Sequence, residues 1–200
     1  MGKTFAIVGV GLIGGSVALK CKRSGLASKV MGVDNNPDHC KQALDLGLVD
    51  EMLSLDDAVA AAEIVILAIP VGAIASILPG LLDKVKTQVV IDMGSTKSLL
   101  TDLVEKHAQR GRFVASHPMW GTEYSGPSAA VENAFEQKAV ILCDVERTDP
   151  DALETAIELF STLKMRIIQM NAKDHDLHAA YVSHISHITS FALANTVLEK

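Results

Sequence analysis

Apolar residues fall along this chain in two alternating rhythms. Short runs rich in β-branched and other apolar side chains, at residues 4–8, 29–33, 64–69, 89–92, 113–115, 139–143 and 165–169, predict strands. Between them, residues 12–25, 38–46, 71–85, 98–110 and 150–163 form segments long enough for helices. The run Ile64-Val65-Ile66-Leu67-Ala68-Ile69 is apolar throughout, as suits a strand covered on both faces. The alternation predicts an α/β fold: a doubly wound, mostly parallel sheet with right-handed crossovers.

Two regions depart from this rhythm. Residues 116–128 are rich in Gly, Pro, Ser and His and lack periodicity, which marks a functional loop. From about Ala172 a single helical pattern runs to Lys200, long for the end of a compact domain. It reads as the first helix of a second, α-helical domain or as a dimer element, which divides the chain into 1–171 and 172–200. Tyr181, His184, Ile188 and Phe191 share one face of that pattern and are expected to pack into the domain. The sequence shows no internal repeat and no low-complexity tract.

Composition narrows the function classes. A chain of 200 residues, 48% hydrophobic and 21% charged, can bury a core without disulfides or metal. Eighteen basic against 24 acidic side chains give a net charge of −6, which argues against nucleic acid or an anionic membrane as the partner. Aromatics at 4% supply few stacking platforms for bases. No apolar run approaches the roughly 18 residues of a membrane span. Met1-Gly2-Lys3 carries no leader pattern, and Ala6 stands where a myristoylation motif wants Ser or Thr. Cys21, Cys40 and Cys143 are odd in number and widely spaced, as in a reduced cytoplasm, and form neither a disulfide framework nor a metal site. A cytoplasmic enzyme or ligand-binding domain is expected.

Gly9-Val10-Gly11-Leu12-Ile13-Gly14 follows a strand and opens a helix, the context in which a G-x-G-x-x-G run signals a Rossmann-type dinucleotide site. Gly9 allows the tight turn, Gly11 lets backbone approach a pyrophosphate, and Gly14 lets helix and strand pack closely. Leu12 and Ile13 open the helix whose N-terminus would face the phosphates. Asp34 ends the second strand, 20 residues after Gly14, where a carboxylate holds ribose hydroxyls. Asn35, Asn36 and Pro37 offer no cation for a 2′-phosphate, so NAD is favoured over NADP.

In an open α/β sheet the carboxyl ends of the strands line the ligand crevice, which places Ser95 and His117 near the nicotinamide end. A histidine there can take a hydroxyl proton as hydride leaves the same carbon, because imidazole titrates near neutrality. Ser95 could hold the substrate oxygen, or cap a helix starting at Thr96. Glu123 is a candidate site carboxylate on the loop, or a solvated one. His175, His178, His184 and His187 cannot form one four-histidine metal site, because the two pairs point to opposite sides of a helix. By helix position His184 and His187 are the better site candidates.

The motifs Gly9-Val10-Gly11-Leu12-Ile13-Gly14-Gly15-Ser16, Asp92-Met93-Gly94-Ser95-Thr96-Lys97, His117-Pro118-Met119-Trp120-Gly121-Thr122-Glu123 and Ser183-His184-Ile185-Ser186-His187 occur in an order that resembles the prephenate dehydrogenase family, arogenate dehydrogenases included. That resemblance implies NAD-dependent oxidative decarboxylation of prephenate to 4-hydroxyphenylpyruvate in tyrosine biosynthesis. It implies that His117 accepts the hydroxyl proton, that Ser95 orients His117 and substrate, that His184 and His187 line the substrate pocket, and that Glu123 belongs to its gate. It implies a helical C-terminal domain that dimerises and supplies an arginine for substrate carboxylates. No Arg follows Arg166, so the sequence reads as part of a longer protein. Trp120 stands where many relatives carry a small residue.

Other readings differ at particular residues. A β-hydroxyacid dehydrogenase or imine reductase would use a lysine on the terminal helix, where only Lys173 lies near the start and outside such a motif. An NAD-sensing regulatory module would bring a DNA-binding or partner domain for which the charge and length leave no provision.

Overall fold

The computed structural model describes residues 2–181 and 185–198. In chain order its regular elements are β1 (Lys3–Val8), α1 (Leu12–Ser24), β2 (Ala27–Val33), α2 (Pro37–Asp45), β3 (Glu51–Met52), α3 (Leu55–Ala61), β4 (Ile64–Leu67), α4 (Val71–Leu82), β5 (Val89–Asp92), α5 (Ser98–Leu103), β6 (Phe113–Pro118), β7 (Ala139–Cys143), α6 (Pro150–Thr162), β8 (Arg166–Met170), α7 (Ala172–Ala179) and α8 (Ile185–Leu198). The strands form one sheet in the order β3-β2-β1-β4-β5-β6-β7-β8.

The strand order reverses between β1 and β4, which pair in parallel with Ile7 opposite Ile66. That reversal is the switch point at which a doubly wound sheet opens a crevice. Successive side chains of β4 alternate between two cores. Ile64 and Ile66 join Phe5, Ile7, Val17 and Phe160 on one face, while Val65 and Leu67 join Ile74, Leu78 and Leu100 on the other. The uniformly apolar pattern of β4 thus has its expected cause.

The sequence-based expectation differs from the structure in four places. β7 runs antiparallel to β6, where strict alternation would make it parallel. The connection 119–138 carries a short 3-10 turn (Pro127–Ala129) and no α-helix, so the chain returns along the sheet instead of crossing over it. α5 ends at Leu103 and not at residue 110: His107 turns back to Asp83 (3.2 Å), and Arg110 is buried with a guanidinium nitrogen donating to the Phe113 carbonyl (2.9 Å). β3 and α3 are too short to show a period of their own. Finally, Tyr181, Ile188 and Phe191 are exposed, at 64–70%, and no described residue after Ala179 is among the buried hydrophobic ones. The described part of the terminal pattern is two helices, α7 and α8; His184 lies outside the described residues.

Candidate functional site

The turn between β1 and α1 requires its glycines. Gly9 has φ +91°, and a Cβ there would lie 2.6 Å from the Ala68 carbonyl oxygen. A Cβ on Gly14 would lie 2.0 Å from the Gly9 oxygen, which fixes how closely α1 meets β1. Gly11 differs: its Cβ would meet nothing nearer than the Gly126 nitrogen at 4.0 Å. Gly11 therefore borders open space, not packed backbone. It is the N-cap of α1, with no side-chain cap and no acidic residue in the first turn, an arrangement suited to an anion.

Asp34 stands at the end of β2, where its Oδ2 accepts from the Val10 nitrogen (3.1 Å) and its Oδ1 from the Asn36 nitrogen (2.9 Å). Those bonds hold the carboxylate against the glycine turn. A cavity of about 280 Å³ lies on this side, bounded by Asp34 and by Val33, Leu55, Ile69 and Ile77. On the other side of the turn a second cavity, about 190 Å³, is bounded by Ile13, Val71, Met93, Gly94 and Ser95. A carboxylate beside an apolar slot suits a nucleoside, and the two cavities flank a helix N-terminus. Gly9, Gly11, Leu12, Ile13, Gly14 and Asp34 are thus brought together as the sequence motif requires. A more open hollow of about 480 Å³ sits at the opposite end of the strands, bordered by Gly25 and the surface ion pair of Lys3 and Glu158.

His117, near the end of β6, is held by residues distant in sequence. Its Nδ1 lies 2.9 Å from Nε2 of His175 on α7, with the rings edge to face at 76°. His175 is 2% exposed, and its Nδ1 lies 2.8 Å from Asp176 Oδ1. Asp176 also accepts from the backbone nitrogens of Lys97 (2.7 Å) and Ser98 (2.9 Å), and so caps α5 from another helix. Burial opposes ionisation of Asp176, but the bonds from His175 and from those two backbone groups outweigh it and hold the carboxyl below the usual range.

A folded-state pKa below the unfolded one means that this carboxylate stabilises the fold above pH ~4 and that the contribution is lost as pH falls through the lowered value. Asp176→Asn is expected to cost stability near neutral pH and progressively less in acid, as read from urea midpoints across a pH series. A cost independent of pH would show that the charge is not what holds α5.

Lys97 is fully buried and ties this edge together. Its Nζ donates to Asp92 Oδ1 and to the Ser116 carbonyl (2.6 Å), and Ser116 Oγ donates to the Asp92 carbonyl. The ends of β5 and β6 are thereby joined one residue before His117. Burial outweighs the attraction of Lys97 and raises the Asp92 carboxyl. Burial likewise pushes the free thiols of Cys21 and Cys143 up to about 12, which keeps them unreactive near neutrality.

The remaining sequence candidates are placed unevenly. Ser95 is exposed at the mouth of the smaller cavity; it does not cap a helix at Thr96, because α5 starts at Ser98 and Asp176 caps it. No hydrogen bond joins Ser95 to His117 among the described residues. Glu123 is exposed on the loop and makes no hydrogen bond or ion pair among the described residues. Trp120 turns its ring onto Phe135 (centroids 5.3 Å apart) and packs against the core. His187 lies in α8, its side chain outside the described set, as is all of His184. Helix position alone does not single out His175, which the structure places against His117. The available signal was the pair His175-Asp176, a histidine beside a carboxylate in the first turns of a helix.

The fold and the cleft define a Rossmann-type α/β domain. Residues 17–169 match the family model described as prephenate dehydrogenase, nucleotide-binding domain, and the chain belongs to that family. It is 33% identical over 199 residues to a prephenate dehydrogenase of Bacillus subtilis, covering 98% of this chain and 54% of that one. It is also similar to the solved prephenate dehydrogenase of Aquifex aeolicus in complex with hydroxyphenyl propionate and NAD+ (31% identity, TM-score 0.86, 100% of this chain and 70% of the other). A Synechocystis arogenate dehydrogenase structure matches at 30% identity and a TM-score of 0.84, over 96% of this chain and 68% of that one. The chain spans about half the length of the Bacillus subtilis relative.

Proposed function

We propose that this chain is the cofactor-binding and proton-accepting part of an NAD-dependent dehydrogenase that converts prephenate to 4-hydroxyphenylpyruvate. The observation that carries the reading is a histidine at the end of β6, fixed through Nδ1 by a buried His–Asp pair, on the same sheet edge as an uncapped glycine turn and Asp34. The relatives named above, one of them solved with NAD+, support it.

The residues fit such a cofactor. The N-terminus of α1 and the open face of Gly11 would take the pyrophosphate, Asp34 the adenosine ribose hydroxyls, and the slot of Val33, Leu55, Ile69 and Ile77 the adenine. Asp34 and the absence of Lys or Arg at 35–37 disfavour a 2′-phosphate, hence NAD over NADP. When bound, the nicotinamide ring supplies the hydride acceptor. His117 takes the proton of the ring hydroxyl as hydride leaves the carbinol carbon. The ring carboxylate then departs as carbon dioxide, and its electron pair completes the aromatic ring. Ser95 would hold the substrate hydroxyl oxygen, Glu123 would belong to the gate of the pocket, and His184 and His187 would line it.

Arogenate, which differs at the side-chain amine, is the alternative substrate. The proposal includes a homodimer through the C-terminal helical region, consistent with the exposed Phe191, Leu193 and Val197 of α8, and a cytoplasmic setting, consistent with three free cysteines. No helix among the described residues is long and apolar enough to cross a membrane.

The direct test follows NADH absorbance with NAD and prephenate, and separately with arogenate. Turnover of prephenate supports the reading, and turnover of arogenate alone reassigns the substrate. Silence with both, also in a chain extended past Lys200, removes it. Gly11→Val separates cofactor from fold, because its side chain would enter open space. An unchanged melting temperature with at least a tenfold loss of NAD affinity is expected, a tenfold loss being about 1.4 kcal/mol. Unchanged affinity would sink the assignment of the glycine turn.

A further inference from the structure

We propose that His175 is a positioning residue that fixes the tautomer of His117 and so makes its Nε2 the proton-accepting nitrogen. The hydrogens along three side chains are fixed in turn. An ionised Asp176 only accepts, so the 2.8 Å contact to His175 Nδ1 requires the hydrogen on that nitrogen. A neutral imidazole has one N–H, so Nε2 of His175 is an acceptor. The 2.9 Å contact to His117 Nδ1 then requires a hydrogen on His117 Nδ1. The lone pair of His117 therefore sits on Nε2.

The surroundings leave the His175 ring little choice. It is 2% exposed, and a cavity of about 300 Å³ on its flank is bounded by Met119, Ile141, Met170 and His178. Apart from His178, the side chains bounding that cavity offer no competing hydrogen-bond group comparable to Asp176. The first turn of α7 is itself pinned: the Ala172 nitrogen donates to Asp144 (2.9 Å), and the Asn171 side chain caps the Asp174 nitrogen (2.8 Å). Histidine in water favours the Nε2–H tautomer, so the relay reverses the intrinsic preference. The geometry also stabilises the product of proton transfer, because an imidazolium at His117 would donate from Nδ1 into a chain ending on a carboxylate.

The part of this inference that concerns proton acceptance rests on the function proposed above; the tautomer does not. Ring-15N-labelled chain, held at a pH where the rings are neutral, reports each nitrogen through long-range 1H–15N correlation, with His117→Asn assigning the signal. Expected is a protonated Nδ1 on His117 in the parent chain. His175→Gln, whose Oε1 accepts, should keep it, and His175→Phe should convert His117 mainly to the Nε2–H form. An Nε2–H tautomer in the parent chain overturns the proposal whether or not a variant folds. So does an unchanged tautomer in a folded His175→Phe. With prephenate and NAD, His175→Phe should lower kcat roughly 10–100-fold with little change in KM, and His175→Gln should recover most of it. Unchanged kcat in a folded Phe variant overturns the positioning role. A chain extended past Lys200 that is silent with both substrates but shows the expected tautomer instead overturns the proposed function.

Discussion

Replacing His117 by Asn is expected to cut kcat for NADH formation from prephenate by about 10³–10⁴-fold, near the upper range for loss of a general base. The Asn amide can still donate to Nε2 of His175, so the packing of β6 against α7 survives. It cannot take a proton. NAD affinity should hold within about twofold, because no cofactor-holding group changes, and a twofold change is under half a kcal/mol. Stopped-flow NADH absorbance and calorimetric titration of NAD check the two halves separately. Turnover within tenfold of the parent would mean that another group takes the hydroxyl proton. Lost NAD binding would mean that His117 supports the cleft and not the chemistry.

The largest stability effect is expected at Lys97. Its ammonium is the counter-charge of a fully buried carboxylate, and Lys97→Met leaves Asp92 buried without that counter-charge. Breaking one side of such a pair costs about 3–5 kcal/mol. The Gly94 nitrogen still donates to Asp92 Oδ1 (2.6 Å), but Oδ2 lacks a hydrogen-bond partner among the described residues, so the carboxyl keeps one donor and loses its counter-charge. The variant's deficit should shrink as pH is lowered, since its folded state binds a proton on Asp92 more readily than the unfolded chain does. Adding Asp92→Asn should recover much of the loss, as expected for coupled neighbours. Urea unfolding of the four chains across pH tests this. A single-variant cost below about 1 kcal/mol would place the pair among those that contribute little. The Met variant should also loosen His117, because Lys97 donates to the carbonyl immediately before it.

The sheet was legible because its strands carry their burial in their composition. β4 and β5 are apolar at every position up to Asp92, and only a strand covered on both sides tolerates that. The glycine turn was legible because its backbone demands are local: Gly9 and Gly14 meet atoms a few residues away or on the adjacent strand. The direction of β7 depended on what separates it from β6, and the lack of a helical pattern in 119–138 was the cue. The partner of His117 could not be read from periodicity. It is 58 residues away, and the bond depends on how α7 docks beside β6 and β7. The capping of α5 was hidden likewise, because an N-cap is normally sought just before its helix and here arrives from α7. The exposed face of α8 misled in the opposite sense: its apolar residues signal burial, and the chain's own cores do not provide it.

Asp176 serves two masters, the imidazole of His175 and the first turn of α5. Selection on that side chain is therefore pleiotropic. A change that retunes the proton acceptor through Asp176 also loosens a helix, so variants there are filtered for folding before they can be filtered for rate. His175 carries no such double duty among the described residues, where its two ring nitrogens bond along the relay. Evolutionary adjustment of His117, to a different working pH or a different ring alcohol, meets less resistance at His175 than at its neighbour. Laboratory libraries aimed at this chemistry gain by varying His175 while holding Asp176 fixed.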